Sequence, residues 1–125
     1  MLFDSDVLIW AARNRAAAVE LLLGERERLI SVVTVMELFQ GARNRAQNQT
    51  TRLFLEAYEF QVLPLTENIG SRAAVYVEEY GLAHGLCALD ALIAATAAEQ
   101  GLNLATANRR HFACITGLHL KIFVP

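Results

Sequence analysis

Met1-Leu2-Phe3-Asp4-Ser5-Asp6-Val7-Leu8-Ile9-Trp10 opens the chain with three apolar residues, a polar step that carries two carboxylates, and four more apolar residues. The pattern predicts a buried strand that turns through Asp4, Ser5 and Asp6 into a helix. Polar residues in such a step lie at the C-terminal edge of the strand. That edge is where open α/β sheets bind their ligands. Two carboxylates there point to a cation or phosphate site, and the rest of the chain has to supply its other walls.

Working outward, Val7 to Ala12 begins a helix, and Ala16 to Leu23 continues helical character up to Gly24. Leu29 to Val33 is apolar and β-branched, as a buried parallel strand should be. Thr34-Val35-Met36-Glu37 has the form of a capping box, with Thr34 as N-cap of a helix running towards Gly41. Gln49 to Tyr58 reads as a helix and Gln61 to Leu63 as a strand stopped by Pro64. Thr66 caps a helix that closes at Gly81, and a loop at His84-Gly85 leads into a small-residue helix, Ala88 to Glu99. Leu102 to Thr106 and Leu120 to Val124 complete the strands. The alternation predicts an α/β fold: one domain over residues 1–125, a central parallel sheet with helices on both faces in three layers. It leaves the strand order open.

With 125 residues, 54% of them hydrophobic, the chain can build one real core. No apolar run approaches the roughly eighteen residues of a membrane span. The opening stretch has acids and no basic region before it, unlike a signal peptide, so a cytoplasmic protein is expected. The short first strand leaves open whether residues precede Met1. Cys87 and Cys114 stand far apart without zinc spacing and read as two buried thiols. A net charge of −2 argues against non-specific coating of DNA but does not decide for or against a metal-dependent nuclease. Ten of the eleven basic residues are arginine, which suits phosphate or carboxylate partners. Arg43 with Arg45, and Arg109 with Arg110, form small clusters whose default is a solvated surface.

In a parallel sheet Asp4 follows strand one, Glu37 lies one turn past strand two, and Thr106 to Asn108 follow strand four. Asp90 sits in the first turn of the small-residue helix. Singly, Glu37 is a capping-box glutamate, Asp90 an acid favoured by a helix dipole, and Asp6 a cap for the helix at Val7. Asp4 is harder to dismiss, because an acid directly after a buried strand needs a partner. Together, carboxylates bunched at one edge repel, and at least one should have a raised pKa unless a cation joins them. Mg²⁺ or Mn²⁺ takes such oxygen ligands and can activate a bound water.

The set of motifs resembles the PIN-domain family, specifically its VapC-type ribonuclease toxins, over nearly the whole chain. Phe3 to Ile9 is similar to the family's opening Asp-Thr-Asn/Asp-hydrophobic motif. Ser31 to Leu38 with Gly41 matches its second motif, Leu89 to Ala97 its third, and Leu104 to Phe112 its last. The resemblance implies a metal-dependent endoribonuclease in which Asp4, Glu37 and Asp90 hold Mg²⁺ or Mn²⁺, with Ser5, Asp6, Thr106 and Asn108 as supporting polar groups. Arg43, Arg109 and Arg110 are then candidate RNA contacts. It also implies a cognate antitoxin and a homodimer. One position departs from the pattern: His111 stands where the family usually has a fourth acid. Imidazole is a poor ligand for Mg²⁺, so the alternative is a catalytically weakened PIN-like module that binds RNA or a partner. His84 and His119 match no motif and default to structural roles.

The opening Asp-x-Asp is also similar to haloacid-dehalogenase-type phosphatases, and early paired acids occur in receiver domains. The first need a downstream lysine, and the only lysine is Lys121, near the end of the chain. The second need a mid-chain aspartate, and none lies between Asp6 and Asp90.

Overall fold

The computed structural model describes residues 1–125. Five strands and seven helices run in the order β1 (Leu2–Phe3), α1 (Ser5–Ala12), α2 (Ala16–Leu23), β2 (Leu29–Ser31), α3 (Val32–Gln40), α4 (Arg45–Ala57), β3 (Gln61–Leu63), α5 (Glu67–His84), α6 (Ala88–Gln100), β4 (Leu104–Thr106), α7 (Arg109–Phe112) and β5 (Leu120–Ile122). All strand pairs are parallel, in the order β3-β2-β1-β4-β5. The parallel α/β sandwich expected from the sequence is therefore the fold. Strand order reverses direction at β1, which lies between β2 and β4. That reversal opens a crevice beyond the C-terminal ends of β1 and β4.

Successive strand residues point to opposite faces, and here both faces are apolar. Leu2, Leu29 and Leu104 face a core shared with Val33, Ile69, Ala73 and the inner side of α6. Phe3, Ile30 and Ala105 face a second core with Val7, Leu8, Ala18 and Leu22. Ala91, Ile93, Ala94, Ala95, Thr96 and Ala97 of α6 are all buried, so this helix is covered nearly all round. Small side chains let it lie close to both the sheet and α5. No helix is long and apolar enough to cross a membrane.

Several boundaries differ from expectation, each for a local reason. Asp4, not Asp6, caps α1, its side chain accepting from the Ser5 N–H, so the helix starts at Ser5. Ser31 is at once the last residue of β2 and the N-cap of α3, its Oγ accepting from Val33 N–H at 3.0 Å. The helix therefore starts before Thr34, which is buried inside it, and no capping box forms with Glu37. Asn44 caps α4 and begins it at Arg45. Gly81 is passed through, and α5 ends at Gly85, whose φ of 69° is the left-handed conformation glycine accommodates best. The thiols are free, with Cys87 exposed at the N-cap of α6 and Cys114 partly buried. They are not the two buried thiols expected. His84 ends α5 beside Tyr80, ring centroids 6.2 Å apart, and the His119 carbonyl accepts from Leu104 N–H.

Arg28 ties two helix ends together. Its Nε donates to the Leu22 carbonyl at 2.6 Å and its guanidinium to the Tyr58 carbonyl at 2.8 Å, while it stacks 5.8 Å from the Tyr58 ring centroid. Those carbonyls lie in the last turn of α2 and at the C-cap of α4, where i→i+4 partners run out. Arg28→Ala is expected to lower stability by about 2–3 kcal/mol, since bonds from a charged donor are worth about 1.5–3 kcal/mol. Urea unfolding measures it; an unchanged midpoint would show the clamp to be idle.

Candidate metal-dependent active site

The crevice beside β1 collects the acids. Asp4 follows β1 with 4% of its surface exposed. Its Oδ1 accepts from Ser5 N–H at 2.8 Å and its Oδ2 from Thr106 Oγ1 at 2.8 Å, across the β1–β4 boundary. Asp6 Oδ2 accepts from Ala107 N–H at 2.8 Å and lies 3.2 Å from the same Thr106 hydroxyl. Ser5 Oγ lies 3.3 Å from Glu37 Oε1 and 3.5 Å from Asp4 Oδ1. Asn108 N–H donates to Thr106 Oγ1 at 2.9 Å, and the Asn108 side chain meets His111 Nδ1, which also lies 2.8 Å from Asp90 Oδ2. Glu37, Ser5, Asp4, Thr106, Asp6, Asn108, His111 and Asp90 thus form one connected polar network, drawn from the start of α1, α3, α6, α7 and the end of β4.

Its proton count is tight. The Thr106 hydroxyl has a single hydrogen and two carboxylate oxygens competing for it. Given to Asp4 Oδ2, that hydrogen leaves Asp6 Oδ2 to the Ala107 N–H, with no donor to spare between the two acids. The electrostatics agree. Burial pushes the Asp4 carboxyl up to about 7, with Asp6 and then Asp90 adding to the rise while Thr106 and Ser5 hold it back. Burial raises Asp6 too, against its bonds to Ala107 and Thr106. Glu37 is raised by burial first and by Asp90 and Asp6 next. Only two buried side-chain polar atoms lack a partner, Asp6 Oδ1 and Thr34 Oγ1.

The donor set suits a hard divalent cation: four carboxylates, one with a buried oxygen unpartnered, and a surplus of negative charge. No three acidic, histidine or cysteine side chains converge into a closed coordination sphere in this conformation. Mg²⁺ does not require one, because it usually keeps several waters and takes one or two carboxylates plus substrate phosphates. All of Asp4, Ser5, Asp6, Glu37, Asp90, Thr106, Asn108 and His111 meet at this edge.

The arginines divide. Arg109 and Arg110 lie on α7 between Asn108 and His111, and Arg43 in the turn before α4; all three are exposed and none pairs with an acid. Sequence reasoning missed Arg13. With Ile9, Ala12, Glu37, Gly41, Gln47 and Thr50 it lines a groove of about 570 Å³ between α1, α3 and α4 that reaches Glu37. Arg13 and Arg15 stack on Trp10, 5.6 and 5.7 Å from its ring. The Arg13-Asn14-Arg15 stretch between α1 and α2 carried the signal, because a basic pair after an apolar helix end has to lie on the surface.

Fold and site together define a doubly wound α/β domain with an acidic, oxygen-rich centre at its strand-order switch point. A PIN domain profile matches residues 1–117. The chain belongs to the PIN-domain family. It is 40% identical to Ribonuclease VapC10 of Mycobacterium tuberculosis over an alignment of 129 residues, covering 100% of this chain and 95% of that protein. A toxin–antitoxin complex from Klebsiella pneumoniae contains a chain 34% identical, covering 94% of this chain and 93% of that one at a TM-score of 0.78. DNA-bound VapBC from Salmonella typhimurium shares the fold at a TM-score of 0.81 and 24% identity, over 97% of this chain and 96% of that one.

Proposed function

We propose that the chain is a divalent-cation-dependent endoribonuclease, the toxin of a toxin–antitoxin pair. The observation that carries the reading is the network joining Asp4, Asp6, Glu37 and Asp90, four carboxylates with no lysine or arginine paired to them. The VapC10 relative is named a ribonuclease, and the Klebsiella pneumoniae relative belongs to a toxin–antitoxin complex.

Asp4, Glu37 and Asp90 would hold Mg²⁺ or Mn²⁺, which when bound lowers the pKa of a water and offsets charge on the phosphate. The protein's part is positional. Thr106 fixes Asp4 and Asp6 against each other, Ser5 sets Glu37 beside Asp4, and Asn108 anchors the turn that carries His111. Asp4, its carboxyl raised to about 7 by burial, can hold or release a proton near neutral pH. Arg13 and Arg43 on one side, and Arg109 and Arg110 on the other, supply the positive charge an RNA strand needs to reach an acidic centre.

The weakened-module alternative rests on His111 alone. Its 2.8 Å contact with Asp90 Oδ2 supports the enzyme reading, in which a group at that position holds the acid. An antitoxin in the cytoplasm and a second copy of the chain are part of the proposal. Val75 and Leu82, seven residues apart on one face of α5, stay exposed as a surface for that copy.

The test is incubation of purified protein with total and transfer RNA plus Mn²⁺, beside Asp4→Ala. Cleavage that needs the cation and Asp4 is expected; RNA binding without cleavage would favour the module. Mn²⁺ should also raise the melting temperature, by about 2.7 kcal/mol of stabilisation at a hundredfold excess over its Kd. Asp90→Asn should remove that rise. Equal responses in both proteins would exclude Asp90 from the site.

A further inference from the structure

His111 sits at a junction that cation binding alone does not explain. Its Nδ1 is 2.8 Å from Asp90 Oδ2 and 2.8 Å from the Asn108 side-chain amide. A ring nitrogen either gives one hydrogen or takes one. An ionised carboxylate only accepts, so the hydrogen sits on Nδ1 and goes to Asp90; the Asn108 amide, whose Nδ2 is placed 2.8 Å from Nδ1, is then assigned the flipped orientation, with its oxygen sharing that hydrogen. Asn108 is fixed in turn by its N–H bond to Thr106 Oγ1, and the His111 N–H donates to the Asn108 carbonyl at 3.1 Å. The turn after β4 is therefore a short clamp, anchored on the residue that binds Asp4 and Asp6, that delivers one N–H to one oxygen of Asp90.

We propose that His111 is a positioning residue for the cation: its Nδ1–H occupies Asp90 Oδ2, leaving Oδ1 to the ion, and does so without adding a fifth negative charge to the cluster. The inference rests on the cation-site reading above. Outer partners of this kind fix the orientation of ligating carboxylates, and losing one costs about 10–100-fold in metal affinity. A donor that brings no negative charge suits this site because four carboxylates already exceed the charge of one divalent ion. The side chain is 49% exposed, so replacing it removes little packing.

The experiment is calorimetric titration with Mn²⁺ of wild type, His111→Ala, His111→Asn and Asp90→Asn, with melts in EDTA alongside. His111→Ala is expected to weaken Mn²⁺ binding about tenfold or more. His111→Asn, whose amide N–H replaces the Nδ1–H, should bind close to the wild-type value. Both should melt in EDTA like wild type, which separates positioning from a merely structural role. Unchanged affinity in His111→Ala, or His111→Asn as weak as His111→Ala, would overturn the inference. Absence of Mn²⁺ binding by wild type would instead overturn the cation-site reading, and this inference with it.

Discussion

Asp4→Asn is expected to move activity and stability in opposite directions. Cleavage of RNA with Mn²⁺ should fall by about a hundredfold or more, because cation stabilisation of the developing charge is worth several kcal/mol. In EDTA at pH 8 the same variant should be more stable than wild type. Its amide oxygen can still cap α1 by accepting from Ser5 N–H, and asparagine is a good N-cap. Its NH₂ can donate to Thr106 Oγ1, which frees the hydroxyl hydrogen for Asp6. What disappears is a charge that burial resists, seen in the rise of the Asp4 carboxyl from 3.8 to about 7. Each pH unit of that rise corresponds to about 1.4 kcal/mol, so a gain of a few kcal/mol is expected. Urea unfolding in EDTA measures it. A variant both inactive and less stable would mean that Asp4 is a structural cap only.

The pH dependence of stability should disappear with the cation. In the cation-free protein the folded state keeps a proton on Asp4 that the unfolded chain loses near 3.8, up to about 7. Between those values the folded state binds more protons, so stability falls as pH rises. The contribution is complete below the unfolded value and lost once pH passes the folded one. Asp6 and Glu37 are raised as well and act in the same direction. The loss should amount to a few kcal/mol between about pH 4 and pH 8. With saturating Mn²⁺ the fall should disappear, because the ion competes with protons for the same carboxylates and leaves the folded and unfolded states equally deprotonated above about pH 5. Melts from pH 4 to 8 in EDTA and in Mn²⁺ test both halves. A cation-free stability that rises steadily to pH 8 would contradict the buried, unpaired charge.

The sheet was legible because parallel strands buried on two faces write continuous apolar runs, as in Leu29-Ile30 and Leu104-Ala105. Strand order was not, since nothing local distinguishes β1 paired with β4 from other arrangements. Boundaries failed where one residue does two jobs. Ser31 ends a strand and caps a helix, and only its buried bond to Val33 N–H shows which residue begins α3. Helix α7 is one turn long and carries no period to detect. At the site, Asp4, Glu37 and Asp90 could be placed on one edge from their positions after strands and in first turns. The contacts that organise them could not. Thr106 bridging two aspartates 100 and 102 residues away, and His111 holding Asp90, exist only once strand order brings β4 beside β1.

The direct measurement is anomalous X-ray diffraction from crystals of the protein soaked in Mn²⁺. A peak is expected in the crevice beyond β1 and β4, about 2.0–2.6 Å from carboxylate oxygens drawn from Asp4, Glu37 and Asp90. No peak there at saturating Mn²⁺, or a peak only at acids elsewhere on the surface, would contradict a shared cation at this centre.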